Sequence, residues 1–250
     1  LPWLSPVVFL VAYVGVHAAL LGGIVVPRVS ADWMPAVALA GMVLGLSAWR
    51  WRGPAWGLWA LRGAVLVAVG LACASGKIRH GWAPGEGVPI MAGFVVHSLA
   101  VWRLVERIAD RERGAVPPTI MAFYALSVGQ VTALAYYSLK VSQMPTVMAA
   151  CMGSAAVVGL LRPGLSLSRG GMDVPVLVTQ AALFQGWLYS SGEGGRWFPL
   201  VLLGIPLSAV LAGMVPARGW KGAAARIVAS GLVAGAAVGL AIALRPASDY

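Results

Sequence analysis

Residues 224–244 read AARIVASGLVAGAAVGLAIAL, 21 positions that carry a single charge, Arg226. About 20 predominantly apolar residues are enough for a helix to cross the hydrocarbon core of a bilayer. Working outward from this stretch, eight more of its kind precede it, at 7–26, 34–49, 55–74, 88–108, 118–138, 144–161, 173–190 and 197–215. Short segments rich in Gly, Pro, Ser or charge separate them. Backbone in lipid must satisfy its own hydrogen bonds, and the one-in-two alternation of a membrane barrel strand is absent, so the spans read as helices. The expected fold is all-α: a polytopic transmembrane helical bundle of about nine spans (seven to nine), one domain over 1–250. The second, sixth and seventh stretches are short, which sets the lower bound.

Composition agrees. Of 250 residues, 60% are hydrophobic and 10% charged, with mean hydropathy +0.84, where a soluble domain carries about 25% charged residues. An ordinary soluble domain, a disordered chain and a disulfide scaffold are excluded. The net charge of +10 is read as the excess of basic residues that holds cytoplasmic loops in place. No basic run has the aromatic interleaving of a nucleic-acid surface, so no nucleic-acid partner is expected.

Counting Lys and Arg in alternate loops tests the orientation. One set holds Arg50, Arg52, Arg103, Arg107, Arg111, Arg113, Arg162, Arg169, Arg218, Lys221 and Arg226; the other holds Arg28, Lys77, Arg79, Lys140, Arg196 and Arg245. Eleven against six puts the first set, and with nine spans the N-terminus, in the cytoplasm. Trp33, Trp49, Trp51, Trp56, Trp82, Trp197 and Trp220 fall at segment ends, where an amphipathic ring prefers the headgroup level. The expected location is a bacterial inner membrane, with the bilayer itself and other membrane subunits as partners.

Helix packing has a signature too. Gly231, Gly235 and Gly239 form two overlapping GxxxG steps, and Gly41 and Gly45 form another. Small residues four apart let helix backbones approach closely, within the chain or toward a partner subunit.

The residues able to carry chemistry are few: 8 acids, 3 histidines and 2 cysteines. No catalytic motif and no metal-ligand spacing is present, and Cys73 and Cys151 read as buried thiols. His17 and His97 both fall near the middle of a span. Two imidazoles at similar depth suit either hydrogen-bonded packing or ligation of a haem b or chlorophyll-like pigment. Gln130, Gln180 and Gln185 are intramembrane polar residues that join helices or line a substrate path. Arg62 lies two turns into the third span, within reach of the interface by snorkelling. Its segment Leu61-Arg62-Gly63 is similar to the motif that opens membrane acyltransferases, but the family places that motif in the first helix with a histidine at fixed distance, and His80 is too far along. No Asp or Glu is expected within the membrane, which argues against ion-coupled transport. The densest charge cluster, Arg103, Glu106, Arg107, Asp110 and Arg111, reads as a helix extension past the fourth span: a solvated anchor or a docking surface for a partner.

The turn Gly85-Glu86-Gly87-Val88, an apolar helix, and then Arg103-Leu-Val-Glu106 and Arg111-Glu112 resemble the N-terminal membrane region of bacterial transglutaminase-like membrane proteins. The resemblance spans residues 5–138. That family goes on to an extracytoplasmic Cys/His/Asp domain, whereas this chain continues with four more apolar stretches, so no catalytic residue carries over. The functional expectation is an integral subunit or scaffold of a larger membrane complex, with no catalytic site of its own. The alternatives are a haem- or pigment-binding subunit through His17 and His97, or a permease for an apolar or lipid substrate.

Overall fold

The computed structural model describes residues 4–21, 30–83, 85–168, 170–190, 193–214 and 219–244. Ten α-helices and no strand occur among them: α1 Leu4–Leu21, α2 Met34–Arg50, α3 Ala55–Cys73, α4 Ser75–His80, α5 Gly87–Arg111, α6 Val116–Leu134, α7 Leu139–Leu161, α8 Asp173–Tyr189, α9 Phe198–Ala212 and α10 Trp220–Ala243. Proline marks the first turn of α2, α6 and α9, where its missing N–H costs nothing and its fixed φ suits helix entry.

Among the described residues five helices are long and apolar enough to cross a membrane: α3, α5, α7, the segment Gly195–Ala212 that contains α9, and α10. The chain is therefore a helical membrane protein. The nine apolar stretches correspond to the ten helices less the short α4, but length and composition alone single out five. The difference has a physical cause, clearest in α8.

α8 packs against α1, α2, α3, α5, α6 and α7, and 15 of its 17 residues are buried. A helix surrounded by other helices does not face lipid, so it need not be long or uniformly apolar. It tolerates Asp173, Thr179, Gln180 and Gln185 because neighbouring helices supply the surroundings. The segment leading into it is buried as well: Leu167, Gly170, Gly171 and Met172 lie inside the bundle. Irregular backbone at such depth is tolerated where protein rather than lipid surrounds it.

Glycines set that entry. A Cβ at Gly41 would stand 2.8 Å from the Val174 Cα, and one at Gly45 would stand 2.6 Å from the Gly170 carbonyl oxygen. Gly170 itself has φ +96°, a left-handed conformation that only glycine adopts without strain. α2 thus lies backbone to backbone on the start of α8. On α10 the close face is different: Ser230, Ala234, Ala237 and Ala241 are buried, and the Ser230 hydroxyl donates to the Ile205 carbonyl of α9 at 3.2 Å. Gly231 touches only Phe123, while Gly235 and Gly239 meet nothing within 4 Å and face outward.

Each end of the bundle carries an ion pair. At one end Arg226 pairs with Glu112 at 3.0 Å, and Gly114 N–H donates to the Leu165 carbonyl at 2.7 Å, so the segments after α5 and after α7 and the first turns of α10 converge. At the other, Lys140 pairs with Asp32 at 3.5 Å and the Lys77 ammonium lies over the Tyr189 ring. Arg28, Arg169, Arg218 and Arg245 lie outside the described residues. Trp56, Trp197 and Trp220 are strongly exposed, whereas Trp102 is fully buried.

Candidate functional site

Two polar constellations lie along the contact of α5 with α8. The deeper one is ionic. Arg62, eighth residue of α3 and 1% exposed, forks onto Glu106 with Nη1–Oε2 3.1 Å and Nη2–Oε1 3.0 Å. Its Nη2 also donates to Asp173 Oδ1 at 3.0 Å, and Trp102 Nε1 donates to the same oxygen at 2.8 Å. The guanidinium is sandwiched between the Trp59 and Trp102 rings, 4.8 and 5.0 Å from their centroids, a cation–π arrangement that suits a desolvated charge. Arg103 approaches Glu106 from outside at 3.9 Å.

This cluster corrects three expectations. Arg62 does not snorkel, because its carboxylate partners are inside the bundle. Glu106 does not belong to a docking face: it turns inward, while Arg103, Arg107, Asp110 and Arg111 are exposed. And an acid does lie inside the bundle, at Asp173. Sequence reasoning missed it because it opens a segment and so looks like a loop residue. The available signal was its isolation: it is the only acid between Glu112 and Glu193, with no other charge in 173–190.

The second constellation centres on Gln180, two turns along the same face of α8. Gln180 Nε2 donates to the Tyr124 hydroxyl at 2.7 Å, and the Ser98 hydroxyl donates to Gln180 Oε1 at 3.2 Å. His97 Nε2 lies 2.9 Å from the Pro199 carbonyl oxygen and Nδ1 lies 3.1 Å from Gln180 Oε1, and a neutral ring donates to one of the two. Both ring nitrogens are engaged by protein. His17 lies elsewhere, on α1 beside Tyr13 with ring centroids 5.8 Å apart. No hydrogen bond or ring contact joins the two histidines; α1 and α5 both lie against α8 rather than along one another. Gln185 Nε2 is 3.4 Å from the Cys73 sulfur, and Gln130 is half-buried on α6. No group of three or more His, Cys, Asp or Glu able to hold a metal occurs among the described residues.

His97 and Gln180 form the polar floor of a cleft of about 380 Å³ between α5, α8 and α9. Its walls are apolar and aromatic: Ile90, Phe94, Leu183, Phe184 and Trp187 line it, with Arg196 also in its lining. Phe94 and Phe184 stack at 4.3 Å between centroids, and Phe184 and Trp187 at 6.4 Å. An apolar cleft of a few hundred Å³ with a few convergent polar groups is the usual form of a small-molecule site. A larger groove of about 1010 Å³ opens between α1 and α7, past Cys151 and Arg162, with Thr146, Ser154 and Ser166 also in its lining. No protein-family model, curated protein or solved structure matches the chain.

Proposed function

We propose that this protein binds an apolar or lipid-like molecule in the α5–α8–α9 cleft and acts as a permease-type carrier for it. The cleft carries the reading. Its volume, aromatic walls and His97–Gln180 floor suit a molecule with a large apolar body and a small polar end, and Arg196 adds a positive charge for a polar or anionic head. We further propose nine spans with a cytoplasmic N-terminus in a bacterial inner membrane. The gathering of Arg103, Arg107, Arg111, Arg162 and Arg226 toward one end of the bundle supports this orientation, and helical spans suit that membrane better than an outer one. The likeness of residues 5–138 to the transglutaminase-like membrane proteins belongs to the same proposal; Glu86 there closes its turn by accepting the Ala83 N–H at 3.1 Å.

A second reading, an integral subunit of a larger complex, is favoured by the outward face of α10. Gly235 and Gly239 lie there beside Leu232 and Leu240, all exposed, where small residues would admit another helix closely.

Native mass spectrometry of the gently solubilised chain tests both. The carrier reading expects a retained lipid-sized mass in the wild type that is lost in Gly93→Leu. Gly93 lines the cleft and a Cβ there meets nothing within 4 Å, so a side chain added at this position takes up space the bound molecule would use. A bare monomer, or retention unchanged by the substitution, refutes the carrier reading; co-purifying chains support the subunit reading.

A further inference from the structure

We propose that the groove between α1 and α7 holds an anionic phospholipid from the leaflet on the Arg162 side. The site is separate from the α5–α8–α9 cleft and independent of what that cleft carries. The groove encloses about 1010 Å³. It opens sideways: Val8 and Val158 on its walls are 56% and 57% or less exposed, at 56% and 47%, so in a bilayer its contents come from lipid rather than from water.

Polarity is confined to one end of the groove. Val8, Ala12 and Val16 line it from α1, and Val147, Ala150 and Ala155 from α7. The two α7 hydroxyls in that wall turn back on their own helix, Thr146 donating to the Ser142 carbonyl at 2.8 Å and Ser154 to the Ala150 carbonyl at 3.0 Å. They leave the wall without a donor for a ligand. At the end of α7 the character changes. Leu165 N–H donates to the Arg162 carbonyl at 2.9 Å, and this turn carries Arg162 and Ser166 to the mouth of the groove. Arg162 is exposed and has no ion pair among the described residues. The exposed Arg113 approaches from the next turn: Gly114 N–H donates to the Leu165 carbonyl at 2.7 Å, and a Cβ at Gly114 would stand 3.3 Å from the Pro163 Cα. Glu106 and Glu112 are committed to Arg62 and Arg226. A basic pocket between membrane helices at headgroup level suits an anionic headgroup.

Length selects the occupant. Leu4 to Val16 measures about 18 Å along α1, and Thr146 to Arg162 about 24 Å along α7, at the helical rise. One leaflet is about 15 Å of hydrocarbon, or about 20 Å with its headgroup region. The groove is one leaflet deep, apolar where acyl chains lie and positive where a phosphate lies. A partner's transmembrane helix would need about 30 Å, and a zwitterionic lipid offers Arg162 no net charge.

Photo-crosslinking of the full chain in nanodiscs tests the proposal. The probe is phosphatidylglycerol with a diazirine at the end of one acyl chain, in a phosphatidylcholine bilayer, and the matching phosphatidylcholine probe is the comparison. Mass-spectrometric mapping is expected to find the phosphatidylglycerol adducts concentrated on residues 12–16 and 146–150 and competed by unlabelled phosphatidylglycerol. The yield there falls about fivefold in Arg162→Gln, the worth of one basic residue at an anionic membrane surface. It falls as well in Ser154→Trp, which fills the groove from an exposed position, and it survives Gly93→Leu, which alters only the cleft. Adducts on the outer face of α10 report bulk lipid and stay constant, which separates loss of the site from loss of the fold. Adducts spread evenly over the exposed helix faces, or equal groove labelling by the two probes, overturn the proposal on the wild type alone. A groove yield untouched by Arg162→Gln overturns it as well.

Discussion

Replacing Arg62 by methionine tests the ionic core directly. Methionine keeps most of the apolar stem between Trp59 and Trp102 and removes the guanidinium. Lost with it are the two-point fork onto Glu106 at 3.0 and 3.1 Å, the bond to Asp173 at 3.0 Å and both ring contacts. Removing one partner of a buried pair costs about 3–5 kcal/mol, mostly because the other charge is left uncompensated. Glu106 retains 16% exposure and a distant Arg103, so the expected loss is at the lower end, about 3 kcal/mol. That is a change of roughly two orders of magnitude in the folding equilibrium. Replacing the buried pair by neutral groups of similar volume is close to neutral, so Arg62→Met/Glu106→Gln should recover part of the loss, with Asp173 left only its Trp102 donor. Equilibrium unfolding in mixed micelles, followed by tryptophan fluorescence, measures the wild type and both variants. A single variant within about 1 kcal/mol of wild type, or a double variant no more stable than the single, refutes the account of this cluster.

The glycine contacts predict an asymmetry between two motifs of identical spacing. Gly45→Val should destabilise by about 1–3 kcal/mol, since its side chain meets backbone that cannot move aside, whereas Gly235→Ala and Gly239→Ala should leave thermal stability in detergent unchanged. Gln180→Leu strips partners from Tyr124, Ser98 and His97 together and should cost about 1–3 kcal/mol; a neutral result would show that the network is not needed. His97 has both ring nitrogens engaged, so haem added to the purified protein should give no shifted Soret band. A shifted band lost in His97→Ala would revive ligation through that residue.

The class of the protein was legible in the sequence because it follows from one-dimensional quantities, runs of apolar residues near the length of a bilayer core broken by proline, glycine and charge; length and composition nevertheless single out five helices among those described, against the nine stretches expected. What failed depended on helix neighbours. Arg62 looked free to snorkel and Glu106 looked solvated, because each sits about two turns from a helix end. The rotation of α3 and α5 about their axes, set by packing against α8, turns both inward. Two GxxxG motifs of identical spacing end up with opposite surroundings, Gly45 against the Gly170 backbone and Gly239 in the open. His17 and His97 share a depth and not a site.

By itself the sequence determined that this chain is a helical membrane protein with little free chemistry, since transfer of apolar residues out of water depends on composition and length. Only the tertiary structure decided that α8 is the enclosed core helix, that Asp173 meets Arg62 and Glu106, and that a cleft with a His97–Gln180 floor exists. Those are pairings across 44 to 111 residues of chain, and whether a polar side chain faces lipid, protein or a cavity is a property of the assembled bundle.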